Sequence, residues 1–296
     1  MNEANAGVIV AASHLGKAIA GRQILQDVSA SVTAGSVVGV LGKNGAGKTT
    51  LLEILLGFSP ASSGTSQVWG HDSFTLPASI KGRIGYVPQQ DDLVALLTGA
   101  QQLALTASLY RAWDAALIEH LVKEWEVPLD RRISVLSGGE RQKLSMLLAL
   151  GHRPELLVLD EPLASLDPIA RRAFLRRLLD ITADQTRAVI FSSHIVSDLE
   201  RVANEIWIVR EGTMVWQGEL DALKESVVRL HVHAKERLPA RIDVPNALFE
   251  SVAGNSATIS VRGWRAEDAD ALRERLGADI QIEALDLEDI FVELNR

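Results

Sequence analysis

The chain has 296 residues, of which 47% are hydrophobic and 23% are charged, and these proportions exclude an intrinsically disordered protein. Its formal net charge of -8 argues against a nucleic-acid-binding protein, because such proteins usually present a strongly basic face. The absence of cysteine excludes disulfide bonds and thiolate metal sites.

No segment is expected to cross a membrane. The apolar run at residues 7–12 is too short for the core of a signal peptide. The longest uncharged stretch, residues 93–110, approaches the length of a membrane span, but polar residues and a glycine interrupt it. We expect this stretch to form a half-buried loop and a helix.

Short apolar strands alternate with helical patterns over most of the chain. The predicted strands are VVGVLG (37–42), LLVLD (156–160) and AVIFSS (188–193), and the helices that follow them are 48–58, 169–182 and 194–204. Continuous apolar strands between helices predict a parallel sheet that is covered on both faces. Between the first two strands, helical periodicity over residues 98–150 predicts a helical insertion, whose limits we set at about 92–150.

The character of the sequence changes near residue 222. Residues 227–233 and 256–263 alternate with the period of a strand, and Gly254-Asn255 is suited to a hairpin turn. Helical patterns follow at 266–277 and 285–295. We therefore predict two domains, 8–221 and 222–296, of which the second is a small α+β appendage.

Residues 42–49, GKNGAGKT, have the spacing of a P-loop, with a predicted strand before them and a helix after them. Glycines let the backbone N–H groups surround phosphates, and the helix N-terminus adds its positive dipole end. A plain glycine turn is the alternative, and the strand–loop–helix context disfavours it. The residues expected to bind ATP here are Gly42, Asn44, Gly45, Ala46, Gly47, Lys48, Thr49 and Thr50.

Two adjacent carboxylates follow the second apolar strand. Asp160 is suited to hold Mg²⁺, as the corresponding aspartate does in P-loop NTPases, and Glu161 to polarise the attacking water. A pair of helix N-cap residues is the alternative interpretation.

Residues 136–142, LSGGERQ, resemble the signature motif of the ATP-binding cassette (ABC) ATPases. Three further motifs of that family occur in its order: Gln89 in GYVPQQ matches the Q-loop, Asp167 in ASLDP the D-loop and His194 in FSSH the switch histidine. Each motif alone has an ordinary structural explanation, but the occurrence of all of them in the family's order disfavours these explanations. The resemblance covers about residues 10–220. The resemblance implies an α/β P-loop NTPase fold with a RecA-like parallel-sheet core, an inserted helical signature subdomain and the C-terminal appendage.

The resemblance also implies a mechanism in which two cassettes close head-to-tail around two ATP molecules. Glu161, His194 and Gln89 are then the catalytic residues, and an active ATPase is expected. The signature residues contributed across the interface are Ser137, Gly138, Gly139 and Glu140, and the implied Mg²⁺ ligands are Thr49, Gln89 and Asp160.

Two positions depart from the family pattern. Ile19 aligns with the aromatic residue that stacks on adenine in the family, and loss of this stacking (~1–3 kcal/mol) lowers the expected affinity for ATP by about one or two decades. Lys43 places a charge inside the phosphate loop, and we expect it to point to solvent.

A single cassette with a short appendage resembles the ATPase subunits of bacterial exporters whose permease is a separate polypeptide. The C-terminal LDLEDIFVELNR is similar to the tail of that group. The implied partners are a second cassette and an integral-membrane permease, with no nucleic acid, and the implied location is the inner face of the cell membrane. Residues 91–97 are a candidate docking segment for the permease, and a helix that packs inward is the alternative interpretation of this segment. The alternative function of the chain is a soluble, non-transport ABC ATPase.

Overall fold

The computed structural model describes residues 7–183 and 185–296, and every structural statement below concerns these residues. The chain divides into two compact units between Gln217 and Gly218. This division lies four residues before the predicted domain boundary. Within the described ranges, no helix is long and apolar enough to cross a membrane.

The first unit contains both strands and helices, and its last strand ends at Glu219, two residues beyond the division at Gln217. In order, the elements are β1 (Val8–Ile19), β2 (Arg22–Thr33), β3 (Val37–Leu41), α1 (Lys48–Leu55), β4 (Ser63–Val68), β5 (His71–Asp72), α2 (Ala78–Lys81), β6 (Ile84–Val87), α3 (Gly99–Leu109), α4 (Ala115–Glu124), α5 (Gly138–Leu150), β7 (Leu156–Leu159), α6 (Pro168–Thr182), β8 (Ala188–Ser193), α7 (Val196–Glu200), β9 (Glu205–Arg210) and β10 (Thr213–Glu219).

A six-stranded sheet forms the centre of this unit, with strand order β10-β9-β3-β8-β7-β6. The pairs β3–β8, β3–β9, β7–β8 and β6–β7 are all parallel. Every residue of β3, β7 and β8 is buried, which is why these segments are continuously apolar or small. The predicted parallel-sheet core is therefore confirmed.

A second sheet, β2-β1-β4-β5, is antiparallel, and the sequence analysis did not predict it. A two-residue turn, Ala20-Gly21, joins β1 to β2, and both turn residues have positive φ (49° and 80°), as a type I′ hairpin turn requires. One continuous cluster of buried side chains includes Leu25 of β2, Leu51 of α1 and Val40 of β3. The helix that follows the phosphate loop is thereby held by both sheets.

The predicted helical insertion consists of α3, α4 and α5, and it occupies the connection from β6 to β7. Each of these helices begins at a side chain that accepts hydrogen bonds from the first turn: Thr98, Asp114 and Ser137. Residues 91–98 form a loop that precedes α3.

Two helices are shorter than predicted. The helix predicted over 48–58 ends at Leu55, because Gly57 adopts φ +76° and a Cβ at that position would lie 1.8 Å from the Ser73 carbonyl oxygen. The helix predicted over 194–204 covers only Val196–Glu200, and the Asn204 side chain instead accepts a hydrogen bond from the N–H of Val37.

The second unit is an antiparallel sheet with helices. Its elements are α8 (Leu220–Ser226), β11 (Val227–Ala234), β12 (Ala247–Ala253), β13 (Ser256–Arg262), α9 (Ala266–Leu276), β14 (Ala278–Ala284) and α10 (Leu287–Leu294). The strand order is β12-β13-β11-β14, and residues 254–255 join β12 to β13. Leu230, Ile259 and Leu272 belong to its separate core.

Candidate nucleotide-binding site

The phosphate loop connects β3 directly to α1. Gly47 is the N-cap of α1 with φ +105°, a conformation that L side chains rarely adopt. A Cβ on Gly47 would also lie 3.0 Å from the Ile24 carbonyl oxygen, so the close approach of β2 requires glycine here. The loop is thus shaped by neighbouring backbone before any ligand binds.

A pocket of about 370 Å³ opens at this loop. It is lined by Arg22, Ile24, Lys43, Asn44, Gly45, Ala46, Gly47, Lys48, Thr49, Thr50, Gln89 and Glu161. The predicted ATP-binding residues from 44 to 50 therefore surround one cavity, and Gln89, which follows β6, reaches the same cavity.

Lys48 lies at the base of this pocket and is only 7% exposed. Its Nζ donates a hydrogen bond to the Gly42 carbonyl oxygen (2.7 Å) and lies 3.4 Å from Glu161 Oε1. A buried ammonium ion requires negative partners, and the Glu161 carboxylate supplies one in the free chain.

Asp160 and Glu161 follow β7, and a buried hydroxyl joins them. Ser192 Oγ donates to Asp160 Oδ1 (2.5 Å) and accepts a hydrogen bond from the Glu161 N–H (2.8 Å). Glu161 has a positive φ of 49°, which is an uncommon conformation for a side chain of this kind. Ser192 was not a candidate residue in the sequence analysis, because no motif spacing identifies a serine two residues before the predicted switch histidine.

His194 completes the group around Glu161. Its Nδ1 lies 2.7 Å from Glu161 Oε2, and its backbone N–H donates to the same oxygen (3.3 Å). The Glu161 side chain is 7% exposed, whereas that of His194 is 51% exposed. The three predicted catalytic residues therefore lie in one region, with Glu161 at its centre.

The donor set is suited to Mg²⁺. Asp160 Oδ2 is buried and has no hydrogen-bond partner among the residues the structure describes. A carboxylate oxygen, the Thr49 hydroxyl and the Gln89 amide are hard oxygen donors of the type that Mg²⁺ prefers.

The signature residues lie outside this pocket. Ser137 is the N-cap of α5: its Oγ accepts from the Glu140 N–H (3.2 Å), and Glu140 Oε2 accepts from the Ser137 N–H (2.7 Å). This hydrogen bond from Ser137 N–H is the main cause that lowers the pKa of Glu140. Gly138 and Gly139 lie against Ser165, and a Cβ on Gly139 would be 2.9 Å from the Ser165 carbonyl oxygen.

Asp167 lies beyond Ser165 and caps α6. Its Oδ1 accepts hydrogen bonds from the N–H groups of Ile169 (2.9 Å) and Ala170 (3.0 Å), and the bond from Ala170 is the largest cause that lowers the pKa of Asp167. Asp160 and Glu161 do not cap this helix.

Ile19 does not line the pocket. It is 51% exposed at the end of β1, where it pairs across the hairpin with Arg22. Arg22 and Ile24, which the sequence analysis did not select, form the wall of the pocket on β2.

The fold and the pocket together define a P-loop nucleoside triphosphatase. A family model described as "ABC transporter" matches residues 25–164. The chain is 29% identical to "ABC transporter ATP-binding protein YtrB" of Bacillus subtilis, over 94% of this chain and 95% of that protein. It is 30% identical to "Nod factor export ATP-binding protein I" of Burkholderia lata, over 92% of this chain and 91% of that protein.

A solved structure described as "Structure of ATP binding subunit of ABC transporter" is similar with a TM-score of 0.67 and 27% identity, over 73% of this chain and 92% of that one. The chain therefore belongs to the ABC transporter family, as an ATP-binding and ATP-hydrolysing cassette. The family and the activity predicted from the sequence are confirmed.

Proposed function

We propose that this chain energises an exporter whose membrane-spanning permease is a separate polypeptide, by closing with a second cassette around bound ATP. One observation carries the proposal. The pocket brings Lys48, Gln89 and Glu161 together, whereas Ser137 and Gly139 lie elsewhere on the same chain. A second cassette is the natural source of the missing signature.

The chemistry follows from the groups around Glu161. Lys48 and His194 both contact this carboxylate in the free chain. The anionic oxygens of a triphosphate compete for these two donors, so Lys48 turns to the phosphates and His194 to the γ-phosphate. Glu161 is then available to accept a proton from the attacking water.

Mg²⁺ is the metal we assign to the Asp160 side of the pocket, with Thr49 and Gln89 as further ligands. When bound, it neutralises charge that develops on the phosphate oxygens. Ser192 restricts the orientation of Asp160 by holding Oδ1, and leaves Oδ2 for the metal or its water.

The signature segment is suited to act on the γ-phosphate of the opposite cassette. The capping bond uses an acceptor lone pair of Ser137 Oγ, so its O–H remains free to donate. The first N–H groups of α5, at Gly138 and Gly139, have no partner within the helix and carry the positive end of its dipole.

We assign permease docking to an apolar groove of about 330 Å³. Its lining includes Leu56, Phe58, Tyr86, Tyr110 and Leu148. The Phe58 and Tyr86 rings are 5.0 Å apart, and Phe58 is 62% exposed. Burial, and then the charge of Asp160, raise the pKa of the Tyr86 phenol far above its usual range, so this part of the groove stays uncharged.

The predicted docking segment, residues 91–97, adds a second apolar surface. Val94 and Leu96 are exposed there, and Asp91 is tied to α5 through Arg141 (3.0 Å). An amphipathic cytoplasmic helix of the permease is the occupant we assign to the groove and this segment. The cassette would then lie on the inner face of the membrane without crossing it.

The test of dimer closure is Glu161→Gln in the full-length chain. We expect the variant to lose ATP hydrolysis and to elute as a dimer in gel filtration with ATP and Mg²⁺, but as a monomer without nucleotide. Glu236→Gln, a change at an exposed carboxylate of the second unit, should leave hydrolysis intact. If Glu161→Gln binds ATP and stays monomeric, the composite site is refuted.

The transport function needs a separate test, because a soluble non-transport ABC ATPase would also pass the first one. Phe58→Asp should abolish co-purification with membrane protein while hydrolysis by the isolated chain continues. Phe74→Asp is the matched control, since Phe74 is similarly exposed (57%) but lies outside the groove. Recovery of the wild-type chain only from the soluble fraction would favour the alternative.

A further inference from the structure

We propose that the guanidinium group of Arg22 supplies the flat surface on which the adenine base stacks, in place of an aromatic side chain. The proposal rests on the ATP site proposed above and assigns a specificity residue within it. Three observations support it.

First, Arg22 and Ile24 of β2 both line the nucleotide pocket. The pairing of β2 with β1 shifts register at Ile24, so the shared pocket, and not strand alternation, places these two side chains together. The carbonyl oxygen of Ile24 lies beside Gly47, at the start of the helix that receives the phosphates. Arg22 lies two residues nearer the hairpin turn on β2 and lines the same pocket as the phosphate loop.

Second, Arg22 pairs directly with Ile19 across the hairpin. Directly opposed residues of an antiparallel pair present their side chains on the same face, so the Ile19 side chain lies beside that of Arg22, although Ile19 is not part of the pocket lining. Ile19 is branched and aliphatic and offers no planar face, whereas the guanidinium group of Arg22 is planar and stacks on aromatic rings.

Third, the Arg22 side chain is exposed, and no described residue forms a hydrogen bond or an ion pair with it. By contrast, Lys48 in the same pocket is held by Gly42 and Glu161. The Arg22 guanidinium can therefore reorient over a ligand without breaking a hydrogen bond or an ion pair to any residue that the structure describes.

The test compares ATP with inorganic tripolyphosphate, which has the phosphates but no base, by calorimetry on the full-length chain with Mg²⁺. Arg22→Ala should weaken ATP binding about 10-fold and leave tripolyphosphate binding unchanged. Arg22→Lys keeps the charge but not the plane, so it should lose most of the same affinity. Ile19→Tyr in the Arg22→Ala background should restore ATP binding.

Arg241→Ala removes one exposed charge from the second unit and serves as the control for net charge. An equal loss of affinity for ATP and tripolyphosphate in Arg22→Ala would place the guanidinium on the phosphates and overturn the proposal. Unchanged ATP affinity in that variant, or full affinity in Arg22→Lys, would overturn it as well. Failure of the wild-type chain to bind ATP at all would instead refute the proposed function.

Discussion

Replacement of Ser192 by alanine is the most direct test of how the catalytic carboxylates are held. Ser192 is fully buried, and its one hydroxyl bonds both Asp160 Oδ1 and the Glu161 N–H. Alanine removes both bonds without filling or opening much space. Asp160 Oδ2 already has no partner among the described residues, so in the variant neither oxygen of this buried carboxylate has a donor within that part of the chain.

The magnitude follows from the two bonds that are lost. A hydrogen bond to a charged group contributes about 1.5–3 kcal/mol, and an unsatisfied buried N–H costs about 1–3 kcal/mol. A loss of about 1.5–3 kcal/mol in transition-state stabilisation corresponds to about a 10- to 150-fold decrease in kcat. Since Asp160 is assigned to Mg²⁺, the concentration of Mg²⁺ needed for half-maximal activity should rise as well.

The assay is steady-state ATP hydrolysis at several Mg²⁺ concentrations, with ATP affinity measured separately without metal. Ser192→Thr keeps the hydroxyl and should retain most activity. Ser193→Ala is the matched control, because Ser193 is also buried on β8 but its hydroxyl, among the residues that the structure describes, bonds to Ile195 and to neither carboxylate. Wild-type kcat and Mg²⁺ dependence in Ser192→Ala would refute the assigned role.

Three further changes test the structure that supports the site. Burial lowers the pKa of His152, whose Nε2 lies 3.0 Å from the Ile84 carbonyl oxygen, so its neutral form is favoured in the folded chain. The stability that the neutral imidazole contributes is therefore lost as pH falls below the pKa of about 6.5 that the unfolded chain has. In urea unfolding, the free energy of unfolding of His152→Phe should decrease less between pH 7.5 and 5.5 than that of the wild type. Gly57→Ala should lower the free energy of unfolding by more than about 1 kcal/mol, because of its positive φ and the contact with Ser73. Phe174→Ala removes a side chain that is 1% exposed and should cost about 3–5 kcal/mol in the same assay.

Matched control variants distinguish the steric contact at Gly57 from its positive φ, and the burial of Phe174 from its position on the helix. Gly70→Ala has the same φ of +76° but open space around its Cβ, so it should cost less than Gly57→Ala. Leu179→Ala, on the same helix as Phe174 but 46% exposed, should change stability by less than about 0.5 kcal/mol. Equal losses within either pair would contradict the packing described, and an unchanged pH profile in His152→Phe would contradict the neutral buried imidazole.

The parallel core was predictable because its strands are buried on both faces and are therefore continuously apolar, as in VVGVLG and LLVLD. The antiparallel sheet was not, because buried and exposed positions of β2 follow no regular alternation over residues 22–27, and the alternating residues 28–33 include small side chains such as Ser29 and Ala30. The end of α1 was misplaced because Gly57 was assigned to the helix. The structure ends the helix there with a Schellman motif, in which Gly57 has positive φ, its N–H donates to the Ile54 carbonyl oxygen (3.1 Å), and the Phe58 N–H donates to that of Glu53 (2.9 Å).

In the site, too, some residues were predictable from the local sequence and others were not. Motif spacing was sufficient to select Lys48 and Glu161, and the family resemblance selected His194. The structure brings these three residues together. The roles of Ser192 and Arg22 depend on which strands lie side by side, and this information is absent from local spacing. Ile19, by contrast, was selected from family alignment, and its assigned contact with adenine stays a prediction.

The connection from β6 to the helical insertion has a mechanical consequence. Asp91 is bonded to Arg141 of α5 and therefore moves with the insertion, whereas Val87 is paired with Leu159 in the parallel sheet. At the other end, the Glu155 carboxylate is clamped by Arg83 beside the start of β6. A rotation of the insertion relative to the sheet would have to be absorbed by residues 88–90, and it would therefore displace Gln89, which lines the pocket.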